Sequence, residues 1–252
     1  MQRYFIELAY KGTNFHGWQV QKNALTVQEE LEKTFSLLLK EKISVTGAGR
    51  TDTGVHAFFY IAHFDSLKKN LDKDNKFIYK INQVIHPDIS IKKILKVKNE
   101  AHARFDALTR EYKYFISIEK NPFLREICYE YTGKLDFNKM KESAGILFEY
   151  SDFKSFCKLH SDVKTTLCNI YHSEWEVIEN KYVYTIKADR FLRNMVRALV
   201  GTMFDIGRKR TDIEGFHNIF LGKNRCLAGA SAPARGLALT SIDYSGEIFI
   251  FN

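Results

Sequence analysis

The chain of 252 residues has only four cysteines, Cys128, Cys157, Cys168 and Cys226, and no two of them form a CxxC pair. That scatter argues against a zinc ribbon, and against a disulfide frame in a chain this long. No stretch approaches the roughly 20 apolar residues of a membrane span. The opening MQRYFIELAYKG reads as a strand, not as a charged segment leading into an apolar run. Together these absences predict a cytoplasmic protein. The eight histidines show no H-x-x-x-H pair and no cysteine partners, so a metal site is not expected. The nearest approach to a phosphate loop, GAGRTDTG, lacks the G-x-x-x-x-G-K-[ST] spacing, and ATP and dinucleotide chemistry recede with it. There is no low-complexity linker and no short-period repeat.

What is present is ordinary for a globular protein: 45% hydrophobic and 27% charged residues, in a length sufficient for one large domain or two lobes. Lysine and arginine number 38 against 30 acids, a net charge of +8. Such a surplus favours a polyanionic partner through phosphate contacts and counterion release. Lysine-rich chains are also often simply soluble, so charge alone separates these readings weakly.

Strand and helix patterns mix without strict alternation. Tyr4, Ile6, Leu8 and Tyr10 share one face of an opening strand, with Arg3 and Glu7 on the other. Thr26 reads as an N-cap with Glu29 three places on, ahead of a helix striped by Val27, Leu31, Phe35 and Leu38. Residues 43–46 and 57–64 read as strands on either side of the glycine loop. A helix over 75–85 stops at His86-Pro87-Asp88, and an alternating strand follows over 89–97. Tyr112, Tyr114, Ile116 and Ile118 line one face of a strand over 111–118. Asp136 caps a helix running to about Phe148. Strands over 171–178 and 181–188 precede a helix over 190–206. A short helix over 212–220, a Gly- and Ala-rich loop, and strands over 241–244 and 247–251 finish the chain. This is an α+β protein of two similar lobes, 1–106 and 107–252.

GAGRTDTGVHA, residues 47–57, holds a lone carboxylate, Asp52, among Gly47, Gly49 and Gly54, with Arg50 close by. The glycines let the loop turn sharply and lie close to a ligand, and flanking strands would hold it rigid. An aspartate that bonds its own turn amides is the competing explanation. Asp-Thr-Gly also spells the aspartic-protease triplet, but no second copy occurs, and a nearby guanidinium would defeat the proton sharing that such a dyad needs.

In ADRFLRNMVRALVGTMF, about 100° per residue places Arg190, Arg193 and Arg197 on one narrow helix face, opposite Leu192, Met195, Val196, Leu199 and Met203. That face is either a solvated basic stripe or a phosphate track and partner for a buried acid. YKGTNFHGWQVQ, residues 10–21, mixes Lys11, Asn14, His16, Trp18 and Gln19 with glycines, which suits backbone contact and stacking on unpaired bases. Alternatively it is a connection whose Trp18 packs inside. The pattern around Tyr112 favours a core position over a stacking platform.

GAGRTDTGVHA closely resembles the signature loop of the tRNA pseudouridine synthase A family. Further matches follow in family order along nearly the whole chain: YKGTNFHGWQVQ, RFDALTREYKY, DFKSFCK at 152–158, ADRFLRNMVRALVG and APARGLALTSIDY. One departure is TTLCNI, 165–170, where the family often has an arginine in place of Cys168. The resemblance implies mostly antiparallel sheet flanked by helices, with the active-site cleft between the lobes. It implies an isomerase that converts uridine to pseudouridine in the tRNA anticodon arm, at positions 38 to 40, with no cofactor. By the same resemblance Asp52 is the essential aspartate, acting on the flipped-out nucleotide. Tyr112 stacks on the target uracil, Arg197 pairs with the aspartate, and Arg50 helps hold the base out of its helix. Lys11, His16, Trp18, Arg190 and Arg193 become candidate RNA contacts, and a homodimer sharing one tRNA is expected. A tRNA-binding chaperone without the chemistry and a nucleoside hydrolase are the competing readings.

Overall fold

The computed structural model describes residues 1–159 and 163–250. They form two compact units, one built from Met1–Thr109 with Leu239–Asn252 and the other from Arg110–Ala238. The sequence division at 106 assigns the closing segment to the second lobe; in the structure it returns to the first.

The first unit begins with β1 (Gln2–Tyr10), whose Tyr4, Ile6, Leu8 and Tyr10 are buried, as the alternation predicts. Phe5 on the opposite face is buried too, edge-on to Tyr244 at 5.3 Å and Phe249 at 6.1 Å, so this strand is covered on both sides. Helix α1 (Val27–Leu39) starts at Thr26, whose hydroxyl accepts from the Glu29 amide at 3.4 Å, and buries Val27, Leu31 and Phe35. The strand expected over 43–46 shrinks to β2 (Thr46–Gly47), because the Val45 and Ile43 amides are taken by the side chains of Glu32 and Ser36 at 2.9 Å each. β3 (His56–Ser66) pairs antiparallel with β1 and β2. Helix α2 (Asn75–Val84), capped by Asp74, lies against β4 (Ile89–Lys96). β4 is the edge strand beside β1; it buries Ile89, Ile91 and Ile94 and turns Lys92 and Lys93 outward, which blunts the edge against further pairing.

The chain passes into the second unit within β5 (Ala107–Ser117). β6 (Tyr129–Glu130) runs parallel beside the end of β5. Helix α3 (Phe137–Ile146), capped by Asp136, is followed by β7 (Ile170–Ile178) and β8 (Lys181–Ala188), an antiparallel pair of which β8 also joins β5. Helices α4 (Met195–Gly207) and α5 (Ile213–Gly222) complete this unit. Trp175 is fully buried, its indole N–H directed at Met203 Sδ 3.2 Å away, and α4 is apolar nearly all round, as a central helix must be.

The chain returns through β9 (Leu237–Tyr244), which lies beside β3. No further strand forms beyond it among the described residues. Residues 246–248 make a single 3₁₀ turn, with the Ser245 hydroxyl accepting from the Glu247 amide at 3.3 Å, and Phe249 forms one bridge to Val97. Phe251, the last residue of the strand expected over 247–251, lies outside the described residues. Five α-helices and mostly antiparallel strands, among the described residues, establish the α+β class.

Candidate active site

In the first unit the glycine loop and the 10–21 segment are one construction. Gly12 and Gly17 allow them to meet. A Cβ on Gly12 would run into the Val55 carbonyl. One on Gly17, where φ is +87°, would stand 2.5 Å from the Thr51 carbonyl oxygen. The two segments then exchange hydrogen bonds. The Trp18 amide donates to Thr51 O (3.2 Å), the Gly54 amide to Phe15 O (3.3 Å) and the Gly12 amide to His56 Nδ1 (3.0 Å). Tyr10 and Thr51 join hydroxyls at 2.9 Å, and the Tyr60 hydroxyl donates to the Gly49 carbonyl. Asp52 stands half-buried at the head of a turn closed by Val55 N to Asp52 O (3.1 Å), and Gly54 supplies the left-handed φ of +78° that this turn takes. Its position is therefore fixed from both sides by backbone, the preorganisation a catalytic carboxylate needs.

Trp18 does not offer its ring to a base. It is 3% exposed and stacked on Tyr60 at 4.2 Å, and a Cβ on Gly47 would collide with its ring. It supports the loop from beneath, which corrects the expectation of an RNA contact. Arg50 and His16 are exposed. Lys11 is half-buried and paired with Asp88 at 3.3 Å, and Asp88 also accepts from Asn14 Nδ2 at 2.7 Å.

In the second unit Tyr112 sits on β5 opposite Ile186 and is half-buried, with its ring edge-on to Phe191 at 5.2 Å. It is not the core residue that the alternation favours; Tyr114 and Ile116 take that place. Arg197 lies on the first turns of α4, and its Nε donates to the Ala232 carbonyl at 2.8 Å. The Ala232 amide returns a bond of the same length to Arg197 O. A Cβ on Gly201 would strike the Ala230 carbonyl, so the 230–236 loop lies directly on α4 and fixes the guanidinium plane. Tyr114 anchors the same loop through Pro233 O at 2.9 Å.

Arg190 and Arg193 are not on this helix. α4 begins at Met195, because Asn194 adopts a left-handed φ of +65°, and the Asp189 carboxylate accepts the Arg190 amide at 2.7 Å. The single-face alignment of three arginines is therefore corrected. Arg190 is half-buried and Arg193 exposed on the β8–α4 connection, where the Arg193 carbonyl accepts the Lys158 amide at 3.0 Å. This joins the DFKSFCK segment to the connection. Within that segment, burial would raise the Asp152 carboxyl, but bonds from Thr166, Lys223 and the Lys154 amide outweigh it and hold the group below the usual carboxylate range. Cys168 is buried beside Met195, and burial pushes its thiol up to about 12. It is a neutral core group.

The family model for tRNA pseudouridine synthases matches residues 150–245. That part of the chain is thus similar to the tRNA pseudouridine synthases. Proteins named tRNA pseudouridine synthase A match nearly the whole chain. The Bacteroides thetaiotaomicron protein is 50% identical over 252 residues, covering 99% of this chain and 93% of its own. The Bacteroides fragilis protein is 51% identical over 250 residues, covering 99% of both. The more distant Colwellia psychrerythraea protein is 37% identical over 244 residues, covering 96% and 93%. The chain belongs to the tRNA pseudouridine synthase A family.

Proposed function

We propose that this chain is an isomerase that converts uridine to pseudouridine in the anticodon arm of tRNA, at positions 38 to 40, in the cytoplasm and without a cofactor. The observation that carries the reading is the full-length similarity to relatives of that name. The rigid seat of Asp52 is the local feature that suits it. The reaction balances internally: the N1–C1′ bond breaks, a C5–C1′ bond forms, C5 loses its proton and N1 gains one. Cleavage builds positive character at C1′, which an ionised carboxylate stabilises or captures. Asp52 has this role. Tyr112 stacks on the uracil once it has left its helix, an extrusion that costs a few kcal/mol. Arg197 pairs with Asp52, and Arg50 holds the base out. Lys11, His16, Arg190 and Arg193 meet the RNA backbone. A homodimer shares one tRNA between its subunits.

The test uses tRNA tritiated at C5 of uridine. The wild-type chain releases label, and Asp52→Asn slows release by at least about a thousand-fold while its tRNA affinity stays within a few-fold. Release at the wild-type rate by that variant removes Asp52 from its role. Binding without any release leaves only the chaperone reading, and free uracil as product would mean a hydrolase.

A further inference from the structure

The turn Ala101–Asp106 is bound down more thoroughly than a connection requires. The Arg3 guanidinium donates to Ala101 O at 3.0 Å, the Ala103 amide to His63 Nδ1 at 3.1 Å, and the Tyr244 hydroxyl to Ala103 O. The Asp106 carboxylate accepts from the His102 amide at 2.8 Å, and the Asp106 amide donates to His102 O at 3.1 Å. His102 Nδ1 accepts from the amides of Arg104 and Phe105, at 3.1 and 3.3 Å. What this frame holds up is Phe105, whose side chain is largely in solvent at 73% exposure. The phenyl ring leans on the His102 imidazole, with centroids 4.3 Å apart at 32°, and the Arg104 guanidinium stands 5.6 Å from its centroid. His102 in turn rests edge-on against His63 at 4.7 Å.

A single exposed apolar side chain ordinarily needs no explanation. This one differs because the turn that carries it is fixed by seven hydrogen bonds, one of them from its own amide, and its ring is propped by another ring. An aromatic group so held loses little conformational freedom on binding. With a cation beside it, in a chain of net charge +8, the surface it matches is a flat π-face carried on a polyanion.

We infer that Phe105, supported by His102 and flanked by Arg104, is a stacking platform for an unpaired base of the RNA substrate, distinct from the uridine that is isomerised. The inference rests on the tRNA reading above. A base stacks on the ring, and the Arg104 guanidinium meets the adjoining phosphate. Truncating such a platform weakens binding by roughly five- to one-hundred-fold, from the strength of base–aromatic stacking.

The direct experiment is Phe105→Trp. Trp18 and Trp175 are 3% and 0% exposed, so the new indole is the only one a base can reach. Full-length tRNA is expected to quench its fluorescence, and heparin, a polyanion without bases, to leave it unquenched. Phe105→Ala should raise Kd and KM for tRNA together by the factor above. Phe105→Tyr should restore them and Phe105→Leu should not, which separates stacking from simple apolar contact. Unchanged tRNA affinity in Phe105→Ala, or an indole that tRNA does not quench, overturns the inference. So does a change of oligomeric state in Phe105→Ala at unchanged affinity, which would assign the ring to contact between copies of this chain. A wild-type chain that neither binds tRNA nor releases tritium sinks the tRNA reading itself. An active wild type with an indifferent Phe105 sinks only the platform.

Discussion

His63 shows how one side chain can tie a protein's stability to pH. It is buried on β3 with Nδ1 accepting the Ala103 amide, so protonating that nitrogen means losing the bond. Burial is the main force lowering its pKa to about 4 from the ordinary 6.5; the charges of Arg3 and His102 add to it, and Asp65 and Asp106 oppose it. Between those values the unfolded chain holds a proton that the folded chain refuses. Stability from this group is therefore complete above about pH 6.5 and is lost as the pH falls toward 4. Replacing it by His63→Gln, which keeps an acceptor near Ala103, is expected to flatten the acid limb of a plot of Tm against pH in that window. An unaltered limb would mean that other groups carry the acid sensitivity. Single residues were also where sequence reading was least secure. Trp18, in a loop rich in polar residues, is covered, and Tyr112, in a clean alternation, is half open. Burial depends on what arrives from distant parts of the chain, Tyr60 in the first case and Phe191 among others in the second, and a local pattern carries no record of that.

Elements were more legible. Thr26, Asp74, Asp136 and Asp212 all cap helices through their side chains, and the helices they open lie within a few residues of where hydrophobic spacing puts them. Capping and amphipathicity are short-range effects, so a sequence displays them directly. The exception is the start of α4. The 3.6-residue pattern runs unbroken from Arg190 through Leu192 to Met195, yet the helix waits for Asn194 to pass through the left-handed region. Asparagine tolerates that angle, and here its Nδ2 also donates to Ser231 Oγ at 2.7 Å, a contact made across 37 residues. Asn194→Ala, which loses the bond and is strained at this angle, should cost roughly 1.5–3 kcal/mol in chemical denaturation. Asn194→Gly, which loses only the bond, should cost less. If alanine is tolerated as well as glycine, the left-handed residue is not what delays the helix.

At the scale of the molecule, the feature least visible in the sequence is the return of β9 to the first unit. Nothing in LALTSIDY distinguishes a strand that stays from one that goes back, because pairing partners are chosen by topology rather than composition. Its attachments are specific. Leu239 and Ile242 are buried, Thr109 Oγ1 donates to Asp243 at 2.5 Å, and Tyr244 packs on Phe5. A chain stopped after Ala238 should lose hydrogen-exchange protection in β1, β3 and β4, while peptides from β7, β8 and α4 stay protected. Equal loss in both units would show that they unfold as one.

That return has a consequence in time. A ribosome delivers the first unit's helices and three main strands early, then spends on the order of ten seconds, at ~5–20 residues per second, on residues 110–238 before β9 emerges. Throughout that interval the nascent chain carries the long flank of β3 without its neighbour, the interval in which a cell's chaperones have the most to gain by holding it.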